Sequence, residues 1–530
     1  MLLPSALNVP QSGPSTLAEY APVPGAGRGQ SDVSDLGQGS SGGLGFGAGS
    51  GSRAGIPPER LGSPSQKRGL RNKRCVGNPP RQTEDLLSPP CVAFFDGDNG
   101  GATTKGVTRD EVTVVLFTPG TAPGDEPSFV DCLALTSTAD RADDLHCKAY
   151  ARYFNDRFQT YGRTVHVWMY HSRVSSTGTI SVEQEVINID DLKHPFAINA
   201  AGTTIDTGVA QSAAKRKIFG VAYRGSPRSF YSTYAPFFIG FKPDTEDRIK
   251  LSAGYVCKKL AGRPAQFSGN VDDRLRERKF GYLTPSGHVS KKIMDSEMKA
   301  MCGLEVNSAS TIRSTASASA DIAPLKADSV TTVIMDEDTQ GNATIGAAQN
   351  GWFPEWFLPA NSESNSAARG YNQAEWRNAF GIATDYRRDL IREQAWYRAY
   401  KEGCPNCPEP SDPSTSPVYD TFNMLFWGIQ AAGPRLTPEN LDKGLHAIPA
   451  SGSPSPYKPS AYFAPGNYTF LKDAMEIWWD PQGQAPGDPQ PGCYRLPNEG
   501  QRFRGGEWKP GDGDIQNPGA PCQGSARAAV

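Results

Sequence analysis

The chain has 530 residues, 54 basic against 56 acidic side chains, and a formal net charge of −2. A nearly neutral chain without a stripe of lysine and arginine along its folded part excludes a protein that holds nucleic acid through phosphate contacts. Its apolar runs have about the length of a buried strand, and none approaches the roughly 20 residues that cross a bilayer. This length exceeds one ordinary core, so we expect two or three structural units.

Both ends of the chain have the composition of non-globular segments. Residues 1–70 are rich in Gly, Ser, Pro and Gln, and such a segment buries too little apolar surface to offset its ordering entropy. We predict a disordered tether there that could attach the protein to a membrane or the cell envelope. The opening MLLPSALNVP is not a complete signal peptide, although it could be the end of one that begins upstream. Residues 481–530 form a second, Pro- and Gly-rich tail that could pack onto the surface.

Strand and helix patterns alternate between these two segments. The β-branched run EVTVVLF predicts a strand, and RADDLHCKAYARYFNDRFQTYG, with apolar side chains three and four residues apart, predicts a helix that Gly162 ends. TVHVWMYHS predicts a strand. VINIDDL and AAGTTIDTGVAQSAAKRK predict a helical unit, IFGVAY and FFIGFKPD predict strands, and EDRIKLSAGYVCKKLAG predicts a helix.

The pattern starts again near Arg278. RKFGYLTPSG predicts a strand, KKIMDSEMKAMCG a helix, VTTVIMDED a strand and TIGAAQNGW a short helix. The spacing of apolar residues predicts one long helix over 373–401. VYDTFNMLFWGIQAAG is apolar nearly all round, which is typical of a buried helix, and YTFLKDAMEIWWDP predicts late strands. We expect Trp352 and Trp356 in the core or at the rim of this half rather than against a ligand.

Two successive series of alternating strands and helices predict an α/β protein of two doubly wound lobes. The predicted division is 71–277 for the first part of lobe 1, 278–418 for the first part of lobe 2, 419–455 for return helices of lobe 1, and 456–480 for late strands of lobe 2. Ligands of doubly wound sheets bind beyond the carboxyl ends of the strands. A binding cleft is therefore expected where the strand ends of the two lobes meet.

The order and spacing of these segments resemble type I periplasmic binding proteins, in particular the leucine/branched-chain amino acid-like solute-binding proteins of ABC transporters. KGVTRDEVTVVLFTPG is similar to the opening of that family, RKFGYLTPSG to the strand that enters the second lobe, VTTVIMDED and GWFPEWFLP to second-lobe strands, and VYDTFNMLFWGIQAAGPRLTPENLDKGLHAI to the return helix. The resemblance covers about residues 105–480. It implies a monomeric, exported, extracytoplasmic protein that captures a small polar, amino acid-like solute between two hinged lobes and passes it to a transporter permease.

Polar side chains at the predicted strand ends are the candidate ligand-binding residues. They are Thr118, Thr121, Tyr223, Arg224, Ser226, Arg228, Ser229, Thr284, Asp336 and Glu337. A carboxylate could pair with a ligand ammonium, with Asp336 the leading candidate, and the arginines could clamp an anion. The alternative for each is a structural role as a turn, a helix cap or a surface charge. The arginine-bearing loop YRGSPRSFYSTYAP and the lack of an acid in TPSGHVSKK depart from the family, so an amino acid ligand does not follow from the resemblance.

The ten cysteines are an even number, which favours disulfides and an oxidising compartment over buried free thiols. Proximity in sequence suggests four pairs. They are Cys75–Cys91, Cys132–Cys147, Cys404–Cys407 and Cys493–Cys522. We expect Cys257 and Cys302 to lie in different lobes and leave them unpaired.

Two other kinds of site are weighed against a binding cleft. The motif CPNC follows a predicted helix, whereas a redox pair normally stands at a helix N-terminus that activates its first thiol, so a structural disulfide is favoured. His171 and His288 end two strands without further metal ligands nearby in sequence, and DGDNGG lacks the acid that closes a calcium loop. We expect no metal and no cofactor. The alternatives to solute binding are a sensor or interaction protein on the same fold, and a thiol-redox enzyme that uses CPNC.

Overall fold

The structure is a computed structural model that describes residues 75–524 except 79, 94, 121–126, 135–141, 175–180, 204, 286–288, 337–338, 362–363, 386, 388–389 and 411–414. The predicted tether over 1–70 and three of the residues singled out above, Thr121, His288 and Glu337, lie outside the described residues. The described residues form two lobes, each built on one sheet, and both lobes lie within one compact unit of the chain.

The first lobe is built on a six-stranded sheet. Its strands are β1 (Glu111–Thr118), β2 (Ser128–Asp131), β3 (Thr164–His171), β4 (Ala197–Asn199), β5 (Phe219–Ala222) and β6 (Phe238–Gly240). The strand order is β2-β3-β1-β4-β5-β6, and all neighbours are parallel except β2 and β3. Most residues of β1, β4 and β5 are apolar and buried, because helices cover both faces of a parallel sheet.

Four helices follow the strands of this sheet. They are α1 (Ala142–Arg157), α2 (Val182–Lys193), α3 (Asp206–Lys215) and α4 (Arg228–Tyr234). The hydroxyl of Ser181 accepts the N–H of Gln184 and so caps the first turn of α2. Helix α1 ends at Arg157, ahead of the predicted stop at Gly162.

The second lobe is built on an eight-stranded sheet. Its strands are β7 (Phe280–Thr284), β8 (Ser308–Thr311), β9 (Thr332–Met335), β10 (Glu355–Asn361), β11 (Ala379–Ala383), β12 (Asp473–Asp480), β13 (Cys493–Arg495) and β14 (Arg502–Arg504). The strands β8, β7, β9, β10 and β11 are parallel in that order. Strand β12 runs antiparallel to β11 and carries β13 and β14.

Nine further α-helices follow β6 in the described part of the chain. They are α5 (Thr245–Tyr255), α6 (Val289–Cys302), α7 (Ala318–Ala327), α8 (Gln340–Gln349), α9 (Asn365–Arg369), α10 (Gln373–Trp376), α11 (Ala395–Gly403), α12 (Thr415–Ala432) and α13 (Pro438–His446). Helices α5 and α6 pack together and α5 contacts β10, whereas α11 and α12 return to the first lobe and pack on α1. The proposed return helices 419–455 correspond to most of α12 and to α13.

The expectation that Cys257 and Cys302 lie in different lobes and stay unpaired is wrong. Cys257 lies in a π-helical segment, Val256–Leu260, that continues α5, and Cys302 ends α6. The two helices pack side by side on the second sheet, so these cysteines form a disulfide. The other four disulfides join the pairs predicted from sequence proximity, and no cysteine is free.

The long helix predicted over 373–401 is also wrong. The segment contains the short helix α10, the buried strand β11 and then α11. All five residues of β11 are buried, and the strand pairs with β10 on one side and β12 on the other. Pairing within the sheet therefore overrides the helical spacing of the apolar residues. Strands β2, β4 and β8, which no prediction named, are each three or four residues long.

Two of the tryptophans and part of the C-terminal tail belong to the core of the second lobe. Trp352 and Trp356 are buried core residues, as predicted. The Pro- and Gly-rich tail contributes β13 and β14 to the sheet, and Trp508 packs edge-on against Tyr255 of α5 with ring centroids 5.1 Å apart. This part of the tail is therefore an integral layer of the second lobe.

Among the described residues, no helix is both long and apolar enough to span a membrane.

Candidate ligand-binding cleft

The carboxyl ends of both sheets meet where the chain crosses between the lobes. The chain crosses after β6, after β11 and before β12. The third crossing lies beside β6, because Phe470 donates its N–H to the carbonyl of Gly240 and Leu471 donates to that of Phe241. Strand β12 runs antiparallel, so its first residue lies at the same edge as the last residue of β11. The crossings therefore join the two sheet edges at which ligands of doubly wound folds bind.

A buried ion pair joins the first two crossings. Lys242, two residues beyond β6, donates from Nζ to Oδ1 of Asp385 at 2.8 Å, and both side chains are about 7% exposed. Arg502 of β14 links the second and third crossings, since its Nη2 donates to the Thr384 carbonyl at 2.9 Å and to Oδ1 of Asp473 at 2.8 Å. These buried contacts connect the three crossings to one another.

Tyr223 and Arg224 are held beside the first crossing by a buried carboxylate. Oδ2 of Asp206, the first residue of α3, accepts the N–H groups of Tyr223 at 2.7 Å and of Arg224 at 2.9 Å. Burial raises the pKa of Asp206, although these two hydrogen bonds act in the opposite direction. The Tyr223 ring stacks on Phe241 at 5.4 Å, and Lys242 Nζ lies 5.1 Å from the ring centre. The beginning of the loop after β5 is therefore fixed next to the hinge.

The rest of that loop serves the start of α5. Arg228 donates to Oδ2 of Asp244 at 2.8 Å, and this pairing raises the pKa of Arg228. Asp244 itself caps α5 by accepting the N–H of Asp247 at 2.7 Å. Ser226 is buried and donates its N–H to the hydroxyl of Tyr231. Ser229 is exposed on α4. Arg228, Ser226 and Ser229 therefore contact α4 and α5 or solvent, whereas Tyr223 and Arg224 are bound to Asp206 beside the first crossing.

Asp336 lies at the carboxyl end of β9, as predicted, but its carboxylate already faces a cation. Nη2 of Arg248, on α5, donates to Oδ1 of Asp336 at 2.8 Å, and the two side chains are 7% and 9% exposed. Arg248 also donates to the carbonyl of Pro359 at 3.3 Å. The pair joins α5 to the ends of β9 and β10, which is a structural contact of the second lobe.

The two described threonines of the candidate set end strands in different lobes. Thr118 ends β1, and its hydroxyl donates to the sulfur of Met169 at 2.8 Å. Thr284 ends β7 and is buried, and its carbonyl accepts the N–H of Ile312 at 2.9 Å. Both stand at the carboxyl edges that the crossings join.

Three residues of the cleft were missed by sequence reasoning. Asp206, Lys242 and Asp385 carry the buried hydrogen bonds and the ion pair described above. Their positions at the start of a helix or just beyond a strand were a usable signal. Their partners lie 17 and 143 residues away in the chain, so no local pattern identified the contacts.

The CPNC disulfide lies at the C-terminal end of α11, in the core of the first lobe. Cys404 directly follows α11, and both cysteines are at most 5% exposed within the core formed with α1 and α12. It therefore lacks the helix N-terminus and the accessibility of a redox-active pair.

His171 is buried and pairs through Nε2 with Asp144 at 2.8 Å. Across the described ranges, no three His, Cys, Asp or Glu side chains are grouped so as to hold a metal ion.

Comparison with known proteins identifies the fold. No protein-family model matches the chain, and no curated protein matches it. The structure is similar to that of an ABC transporter substrate-binding protein of Aeropyrum pernix, with 14% identity, a TM-score of 0.50, and coverage of 77% of this chain and 97% of that one. It is also similar to a solute-binding protein of Rhodopseudomonas palustris HaA2 in complex with p-hydroxybenzoic acid, with 11% identity, a TM-score of 0.50, and coverage of 75% and 98%.

Another solute-binding protein from R. palustris, in complex with 4-hydroxybenzoate, has 10% identity, a TM-score of 0.50, and coverage of 75% and 99%. Similarity at this level of identity establishes the fold and not the ligand. The chain has the two-lobed fold of type I periplasmic binding proteins, as the resemblance of its sequence predicted.

Proposed function

We propose that the protein captures a small organic anion in the cleft between its lobes and acts as the extracytoplasmic solute-binding component of an ABC transporter. The observation that supports this most is the meeting of both carboxyl sheet edges at crossings joined by the buried Lys242–Asp385 pair. Such crossings allow two rigid lobes to close around a ligand. The five disulfides are compatible with an oxidising compartment outside the cytoplasm.

The proposed ligand contacts come from both lobes. Thr118, Tyr223 and Arg224 would act from the first lobe and Thr284 from the second, since each stands at a carboxyl strand end. Arg224 would face a carboxylate, because a guanidinium can bind one through two parallel hydrogen bonds. We leave Arg228 and Asp336 out of this set because Arg228 is bound to the capping residue Asp244, and Asp336 joins β9 to α5 through Arg248.

A carboxylate is the group shared by the solutes that deserve testing first. Amino acids are the ligands of the family that the sequence resembles, and hydroxybenzoates occur in the structures of two R. palustris proteins with this fold. A ligand that binds only the folded protein at a hundredfold excess over Kd stabilises it by about 2.7 kcal/mol. We expect a carboxylic acid from a panel of amino acids and aromatic acids to raise the Tm by about 2–5 °C.

Two arginines of the same loop provide a matched test. Arg224→Ala should abolish most of the ligand-induced rise in Tm, because it removes the guanidinium that we assign to the carboxylate. Arg228→Ala should instead lower the Tm of the ligand-free protein and keep the ligand-induced rise, since it removes the partner of the capping residue Asp244 and leaves the cleft intact. Differential scanning fluorimetry with and without the acid measures both quantities. A rise in Tm that survives Arg224→Ala would place the ligand elsewhere, and a panel without effect would favour a sensor or interaction protein on this fold.

A further inference from the structure

A lysine and an asparagine are in contact in the segment that makes the third crossing between the lobes. Asn467 and Lys472 lie between α13 and β12. Asn467 is 8% exposed, and so is the side chain of Lys472. Nζ of Lys472 donates to Oδ1 of Asn467 at 2.8 Å. The amine of one side chain is therefore held directly against the carboxamide of the other, largely shielded from water.

Backbone hydrogen bonds fix the segment on both sides of this contact. The carbonyl of Tyr468, next to Asn467, accepts the N–H of Gly240 at 2.9 Å, which attaches the crossing to β6. Lys472 donates its own N–H to the carbonyl of Ser460 at 2.9 Å. The two side chains thus project from backbone that is already in place. Reacting groups that are held in contact in this way need no further ordering before they react.

A carboxylate touches both nitrogens of the pair. Oδ2 of Asp247, in the first turn of α5, accepts from Nδ2 of Asn467 at 2.8 Å and from Nζ of Lys472 at 3.3 Å. Its other oxygen, Oδ1, accepts from Nη2 of Arg228 at 2.5 Å, which orients the carboxylate. A carboxylate between an amine and an amide nitrogen can take a proton from the first and deliver it to the second.

The carbonyl of the asparagine side chain is polarised by a buried residue. Thr469 is 0% exposed, and it donates to Oδ1 of Asn467 from its backbone N–H at 3.0 Å and from its hydroxyl at 2.7 Å. When an amine adds to an amide carbon, negative charge develops on the amide oxygen. Two donors already aimed at that oxygen stabilise the charge.

The surroundings of the lysine favour its reactive form. Burial lowers the pKa of Lys472, although Asp247 and Asp244 act in the opposite direction. A lower pKa increases the fraction of neutral amine, and the neutral amine is the nucleophile. The segment therefore combines a nucleophile, a polarised amide, a proton carrier and donors for the developing charge.

We propose that Asn467 and Lys472 join through an isopeptide bond in the folded protein, without another enzyme. Asp247 takes a proton from the Lys472 ammonium, and the resulting amine adds its electron pair to Cγ of Asn467. The bond from Cγ to Nδ2 then breaks. The two protons that Lys472 loses pass by way of Asp247 to Nδ2, which leaves as ammonium. No oxidant or co-reactant is needed, and the loss of ammonium to solvent makes the crosslink permanent.

The mass of the full chain tests this inference directly. The protein is unfolded and reduced, so that its five disulfides are open. We expect a mass about 17 Da below the value calculated from the sequence, which corresponds to one lost ammonia. Trypsin does not cleave after an acylated lysine, so the digest should contain one peptide over residues 444–495 that carries the whole deficit and is not cut after Lys472.

Three variants assign the reaction to its residues. Lys472→Arg removes the amine and Asp247→Asn removes the proton carrier, so each should have the full calculated mass. The exposed Lys443 is the matched control, and Lys443→Arg should keep the deficit. The parent and Lys472→Arg are sufficient if Asp247→Asn does not fold. The inference is independent of the solute that the cleft captures.

Three results would overturn the inference. The first is a parent chain of full calculated mass, which would mean that Lys472 serves only as a counter-ion of Asp247. The second is a deficit that persists in Lys472→Arg. The third is a deficit located at Asn99–Gly100 or Asn350–Gly351, because an asparagine that precedes glycine can lose ammonia by cyclising onto its own backbone.

Discussion

Asp336→Ala is expected to lower the free energy of unfolding of the ligand-free protein by about 3–5 kcal/mol, because it leaves a buried guanidinium without its partner. Arg248 Nη2 lies 2.8 Å from Asp336 Oδ1, and both side chains are more than nine-tenths buried. A carboxylate whose main role is to bind a ligand would behave differently. Its loss would leave the stability of the ligand-free protein almost unchanged and would remove the ligand-induced rise in Tm.

Equilibrium urea unfolding followed by tryptophan fluorescence measures this effect. The exposed Asp110 is the matched control, and Asp110→Ala should change the free energy of unfolding by less than about 0.5 kcal/mol. The double variant Arg248→Met/Asp336→Leu should recover much of the loss, since an apolar pair of similar volume can replace a buried ion pair. A single variant as stable as the parent would show that Asp336 is available to a ligand after all.

Glu375→Gln is expected to stabilise the protein increasingly as the pH rises from about 5 to about 8. Burial raises the pKa of Glu375 to about 8, against a smaller opposite effect of the Trp356 indole. The unfolded chain releases this proton near its ordinary pKa, so between the two values the native state binds more protons and loses stability as the pH rises. The loss of stability caused by Glu375 is absent below the pKa of the unfolded chain and complete above the pKa of the folded protein. At about 1.4 kcal/mol per pKa unit it amounts to about 3–5 kcal/mol.

The measured quantity is the difference in unfolding free energy between Glu375→Gln and the parent at pH 5 and at pH 8.5. Taking this difference cancels the titration of every other group. Its change with pH does not depend on any pH-independent effect of the glutamine side chain on stability. The control is Glu393→Gln, because Glu393 is exposed and its substitution should give a flat difference. A flat difference for Glu375→Gln as well would mean that its carboxylate is ionised in the folded protein.

Local patterns in the sequence were sufficient for most of the first lobe and for the class of fold. Alternating or continuous apolar runs identified β1, β3, β5, β9 and β12, spacings of three and four identified α1, and a segment that is apolar nearly all round identified α12. These patterns are reliable because each of these strands and helices is buried against adjacent elements of a regular layer, which imposes a periodic pattern of apolar side chains. Four disulfides were also predictable, since their cysteines are at most 29 residues apart.

Contacts between distant segments decided the rest. Strand β11 adopts its conformation because it inserts between β10 and β12, and Cys257 meets Cys302 because α5 packs on the second sheet and not on the first. The role of Asp336 was settled by Arg248, 88 residues earlier in the chain. Sequence alone determined most of the longer elements and where their strand ends offer polar groups. Only the tertiary structure determined which of those groups are already paired, because the partner of a buried charge is set by packing between elements and leaves no periodic signal in either one.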